Sequence, residues 1–223
     1  MQLFKLSLIP ALLLASTAHA DSQSLWTAWF NSASINEQWK FISDVQVRSA
    51  DKAEFVQNVL IRPGLSYALT ANTDIAAGYA YIGSYSPTVP DTTEHRLWQQ
   101  LVHRHDAGHG RLQHRFRLEQ RFIERASAGD IYSDRLRYFV RYTQPLSAQS
   151  DYFVAAQNEV FLNLSNKDSL NNQTFNQNRA YLGLGKKLSP TLSVELGYLN
   201  QRINGLNSDT TNHALQASLS TSF

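Results

Sequence analysis

Leu112-Gln113-His114-Arg115-Phe116-Arg117-Leu118-Glu119-Gln120-Arg121-Phe122 reads with a period of two. Leu112, Phe116, Leu118 and Phe122 fall on one face, and Arg115, Arg117, Glu119 and Arg121 fall on the other. Successive side chains of an extended chain point to opposite sides, so the stretch is a strand with one apolar and one charged face. It is also long. Strands in soluble proteins cluster at about five or six residues, whereas a tilted membrane strand needs roughly ten.

The same pattern extends in both directions. Downstream, Leu136, Tyr138, Val140 and Tyr142 oppose Arg135, Arg137 and Arg141; Val160 and Leu162 oppose Gln157, Glu159 and Asn163. Ala180, Leu182 and Leu184 then oppose Gln177, Arg179 and Gly183, followed by runs at 192–198, with Glu195 on the polar face, and at 212–223. Upstream lie Trp39, Phe41, Val45 and Val47 against Asp44, Gln46 and Arg48, then a run at 58–69, the run Ile75 to Tyr81, and Leu97 and Leu101 against Glu94, Arg96, Trp98 and Gln100. Pro63 cannot donate to a ladder, so a bulge is expected there. Short connections alternate with longer polar ones such as 86–93 and 165–174, the habit of outer-membrane barrels. The expectation is an all-β, antiparallel transmembrane β-barrel over residues 37–223 with about ten strands. The segment 21–36 is a candidate extra strand that breaks the even count, unless the barrel has twelve. A secreted β-sandwich also alternates. Alternation alone does not say which face is inside; run length, aromatic placement and the terminal strand favour the barrel.

Residues 1–20 have the form of a cleaved signal peptide: Lys5, an apolar stretch from Leu8 to Ala15, and Ala18-His19-Ala20 as the cleavage pattern. The apolar stretch is too short to span a bilayer as a helix. The chain has no cysteine, which excludes disulfides, thiolate metal sites and a cysteine-linked lipid anchor. With 20 Lys+Arg against 18 Asp+Glu, and only Lys5 lost on cleavage, the charge is close to neutral, unlike the basic excess of a nucleic-acid binder.

Glu94-His95-Arg96-Leu97-Trp98-Gln99-Gln100, Arg115 to Arg121, Arg135-Leu136-Arg137-Tyr138, Asn158-Glu159-Val160-Phe161 and Gln177-Asn178-Arg179 together resemble a family of bacterial barrels known as domain of unknown function 2490. The resemblance covers most of the chain beyond residue 20 and implies a barrel in the cell outer membrane. The last strand, ending on Phe223, is similar to the C-terminal signal that barrel-assembly machinery reads. The expected partners are therefore outer-membrane lipid and that machinery, with no nucleic acid, no cofactor and a monomeric state.

On the charged faces, Glu94, Arg96, Arg115, Arg117, Glu119, Arg121, Arg135, Arg137, Arg141, Glu159, Arg179 and Glu195 form a candidate lumen network. Charges in a narrow interior must pair, which predicts a salt-bridged plug. The same ring of arginines would favour anions if a path remains. His103, His105, Asp106, His109 and His114 have metal-ligand character, but no second motif converges on them. A lipid-modifying hydrolase is the alternative class. It would need a serine and a base in hydrogen-bond reach, and His95 and Ser133 fall on non-adjacent strands. A third reading is a scaffold or surface-interaction role carried by the loops. Tyr67, Tyr79, Tyr81, Tyr138, Tyr142 and Tyr198 share the apolar faces, as the aromatic girdle of a membrane barrel would.

Overall fold

The computed structural model describes residues 22–126 and 129–223, so the expected signal peptide lies outside the described residues. Eleven strands close into one barrel: β1 (Ser22–Ser34), β2 (Trp39–Ser49), β3 (Val56–Thr70), β4 (Thr73–Ser84), β5 (Thr92–Ala107), β6 (Gly110–Arg125), β7 (Ile131–Pro145), β8 (Tyr152–Asn163), β9 (Phe175–Ser189), β10 (Leu192–Ile203) and β11 (Thr210–Ser222). Neighbours in sequence pair antiparallel throughout. Closure is parallel, with β1 against β11 in the register Trp26↔Gln216 and Ala28↔Ser218. The count is thus eleven rather than ten or twelve. Residues 22–34 are a full member of the wall, and an odd number of strands can close only by pairing the first and last in the same direction.

That closure sets the two rims apart. The turns at 71–72, 108–109 and 190–191 lie at one rim with the link at 35–38, while the longer segments 50–55, 85–91, 164–174 and 204–209 lie at the other. Gly108, at φ +59°, makes the tight reversal between β5 and β6. Ser22 begins at the long-loop rim and Ser222 ends at the short-turn rim. The seam is tied beyond β11 by Phe223, whose N–H donates to the Ser32 carbonyl at 2.8 Å and whose carbonyl accepts from the Ser34 N–H at 2.7 Å.

The alternation resolves into inside and outside. Leu182, Leu196, Leu97 and Leu215 are 62, 52, 51 and 51 % exposed on the outer surface. Glu119, on the opposite face of the same wall, is 1 % exposed. Polarity is reversed relative to a water-soluble barrel, whose buried face is its apolar one. The interior is not uniformly polar, however. Trp26, Phe153, Ala155, Tyr181, Leu199 and Ala214 form one buried apolar cluster, and Leu60, Ala76, Ala80, Ile82 and Trp98 another.

Pro63 produces no bulge. The β3–β4 register runs from Ile61↔Tyr81 to Gly64↔Gly78 without a shift, and only the two intervening pairs are missing. In that register Pro63, which has no N–H to give, faces Tyr79. The Tyr79 carbonyl accepts instead from the Trp98 indole N–H at 3.1 Å. The Trp98 ring reaches it by lying over Gly64 and Gly78, where a Cβ would collide with the indole. A tryptophan side chain thereby takes the place of a missing backbone donor, and the register holds.

Candidate functional site

Every arginine and glutamate of the expected network points inward, and the strands that carry them bring like charges into direct opposition. Arg96 faces Arg121 across β5–β6, and Arg117 faces Arg137 across β6–β7. Such pairs repel unless carboxylates intervene. Glu94 accepts forked bonds from Arg96 Nε and Nη2 at 2.6 and 2.8 Å and from Arg121 Nε at 2.6 Å. Glu119 takes Arg135 Nη2 on one oxygen and Arg137 Nη1 on the other, both at 2.6 Å, with Arg96 3.8 Å away. Glu159 Oε1 accepts from Arg137 Nη2 and Arg115 Nη2 at 2.7 Å each. Arg137 is therefore the hub joining two carboxylates, and it is 5 % exposed. Arg141 reaches from β7 to Glu195 on β10 and adds Gln157 at 3.0 Å.

Beyond that set, Arg62 forks onto Asp44 at 2.7 and 2.9 Å, and Arg104 pairs with Asp74 nearer the short-turn rim. In the sequence Asp44 is a polar position of its alternating run and Arg62 one residue within the run at 58–69. Their partnership follows from the β2–β3 register, Asp44↔Arg62, which the sequence does not state.

The interior pairing is unequal. Arg62, Arg96, Arg115, Arg121, Arg135, Arg137 and Arg141 share Asp44, Glu94, Glu119, Glu159 and Glu195. Arg48, Arg117 and Arg179 have neutral partners instead. Arg48 donates to Gln46 Oε1 at 2.7 Å and lies 4.1 Å from the Trp26 ring centroid. Arg117 donates to Gln100 Oε1 at 2.6 Å and sits 4.9 Å from Trp98. Arg179 lies 5.1 Å from Trp26 and 4.8 Å from Phe161. With the Gln177 carbonyl turned towards its donors, Arg179 Nη2 bonds it at 3.0 Å. The aromatic rings that hold these guanidiniums were the part of the site least visible beforehand. Phe161 stands at a polar position of its strand, and Trp26 belongs to the segment that the sequence offers only as a candidate extra strand.

A cavity of about 550 Å³ shares the lumen with this network and is lined by side chains from all eleven strands. Residues from both sets of arginines border it, among them Arg115, Arg137, Arg48 and Arg179.

The other candidates do not assemble. His103, His105 and His114 lie outside the wall, with ring centroids 5.7 and 5.4 Å apart in succession; His103 engages Thr73 and His114 engages Tyr138. His109 sits in the 108–109 turn. Among the described residues no group of three or more such side chains is placed to hold a metal ion. Ser133 is wholly buried on the inner face, whereas His95 lies outside against Tyr79 and Tyr81 and 3.6 Å from Glu124. The wall separates the two, so no Ser–His pair forms.

The family model described as "Protein of unknown function (DUF2490)" matches residues 23–212. The chain belongs to this family. The DUF2490 match ends within β11 and takes in every lumen charge described above. An uncharacterised protein of Methylorubrum extorquens is 25 % identical over 203 residues, covering 88 % of each chain. Among solved structures, the siderophore receptor PirA from Pseudomonas aeruginosa superimposes with a TM-score of 0.34 at 13 % identity, over 76 % of this chain. The chain spans about a third of that receptor's length, 32 %.

Proposed function

We propose that this protein is an integral outer-membrane barrel whose lumen is a narrow, anion-preferring path restricted by its own arginine–carboxylate plug. The observation that carries this reading is the reversed polarity of the wall. Large apolar residues stand exposed on the outside, where only lipid would cover them favourably, and charged residues line the inside. Within the lumen, arginines outnumber carboxylates, and a positive lining lowers the barrier for anions. Phe223 closes the seam and is, on this reading, the terminal residue that assembly machinery engages.

Two experiments test it. Purified protein in detergent should migrate faster on a gel unboiled than boiled, because a closed barrel keeps its backbone hydrogen bonds internal. Co-migration of the two samples, with solubility in the absence of detergent, overturns membrane insertion. Single-channel recording under a salt gradient should give a small conductance whose reversal potential favours anions; a cation preference or silence overturns the path. Deleting Phe223 should lower the assembled amount, and unchanged levels would remove its role in assembly.

A further inference from the structure

We infer that the lumen holds a specific binding site for a small tetrahedral dianion of the phosphate and sulfate class, formed by Arg48 and Arg179 against Trp26. The inference deepens the anion-preferring reading and rests on it for the physiological role, though not for the binding itself.

Arg48 on β2 and Arg179 on β9 come from strands well separated around the wall, yet both guanidiniums lie against the same indole, at 4.1 and 5.1 Å from its centroid. Two like charges brought that close in an enclosed space repel; Asp44 and Glu159 act on them only at a distance, and among the described residues no carboxylate is in ion-pair contact with either guanidinium. Glu159 stands directly opposite Arg179 in the β8–β9 register, but its Oε1 is taken by Arg115 and Arg137. Gln46 and Gln177 supply neutral carbonyls, and Arg48 Nε remains buried without a partner. Both arginines border the cavity, as does Gln216, which faces Trp26 across the parallel seam and has an amide to donate.

The chemistry of the missing partner follows. Two guanidiniums whose contact partners are neutral favour negative charge between them, and each is a planar donor fork that matches the edge of an oxyanion better than a spherical halide. The aromatic ring fixes the guanidinium planes; Gln46 and Gln177 take some of the edge donors, which leaves Arg48 Nε and the donors the two glutamines do not engage for an anion. A group the size of phosphate or sulfate fits within the 550 Å³ cavity, whereas a folded partner or a lipid does not.

The test uses the full protein folded in detergent, with inorganic phosphate titrated at constant ionic strength against sodium chloride, and reads the thermal midpoint by loss of the fast-migrating band. The midpoint should rise with the logarithm of phosphate concentration, and likewise with sulfate. Arg48→Gln with Arg179→Gln should abolish the rise. Arg48→Lys with Arg179→Lys keeps the charge and the fold but loses the fork, and should weaken phosphate binding about tenfold, the scale of one charge-assisted hydrogen bond. Equal effects of phosphate and chloride, or a full rise in the glutamine variant, would overturn the site. A phosphate effect in a protein that conducts nothing supports the site and removes the path. Conductance with no phosphate effect removes the site alone.

Discussion

The lumen treats the same side chain in two ways on its two sides. On the β5–β8 wall, Arg96, Arg121, Arg135 and Arg137 are locked by forked bonds to Glu94, Glu119 and Glu159. On the side closed by β1, β2 and β9, Arg48 and Arg179 have glutamine carbonyls and an indole face. A carboxylate-locked arginine is spent on the fold: its charge is neutralised and its removal strands a buried anion. An arginine held by an amide and a ring keeps its charge for whatever enters. The difference separates structural from functional arginines within one cavity, and it can be broken or sharpened by substitution.

The largest effect is expected at Arg137. Arg137→Ala leaves Glu119 and Glu159 each short of a partner and should lower stability by about 3 to 5 kcal/mol, read from thermal or denaturant unfolding. Adding Arg117→Ala should widen the path and raise conductance with little further loss, because Arg117 holds a glutamine rather than a carboxylate. A double variant as stable as the wild type would mean that the wall has been assigned inside out. Next comes Glu119→Gln, which preserves volume while removing the charge shared by Arg135 and Arg137. It should cost roughly 3 kcal/mol with conductance nearly unchanged, and a large conductance change would show that the plug acts by charge rather than by bulk. Gly78→Ala should cost about 1 to 3 kcal/mol by overpacking against the Pro63 carbonyl and the Trp98 ring, with the Trp98–Tyr79 bond loosened and Arg117 displaced. An unperturbed midpoint would mean that both the indole and the β3 backbone at Pro63 have room to move. The smallest effect belongs to Arg48→Gln. Without phosphate, the loss of its stacking on Trp26 and the relief of repulsion should nearly cancel, leaving a change within about 1 kcal/mol. A loss comparable to that of Arg137→Ala would erase the distinction between the two sides.

Much of this was legible in the sequence, for a particular reason. Within Leu112–Phe122 and Arg135–Tyr142 the apolar and charged faces differ so strongly that the assignment of Arg115, Arg117, Arg135 and Arg137 to a common face needs no tertiary information. The first strand lacks that contrast. Trp26 faces inward and Trp29 outward, with Phe30 again on the inner side. An apolar residue on both faces leaves the period readable but the orientation undetermined, so the strand that closes the barrel and carries the ring of the anion site reads from sequence only as a candidate extra strand. The Asp44–Arg62 pair and the meeting of Arg48 with Arg179 depend on register and on closure. Pro63 misled for a related reason: the donor that replaces its missing N–H comes from a side chain two strands away.

The parallel seam has one more consequence. Since the start of β1 and the end of β11 sit at opposite rims, a peptide joining them would have to retrace the wall. β11 has 13 residues, so this is roughly 40 Å of path at about 3.3 Å per residue. A short hairpin cannot circularise this chain, and moving its ends elsewhere by circular permutation would force a tether through the lumen or across the outer face. The same separation makes the two rims reporters of sidedness. In an inserted barrel, an epitope ahead of Ser22 and another in the 190–191 turn, at the rim where β11 ends, would face different compartments, and protease added to intact cells would remove only one of them.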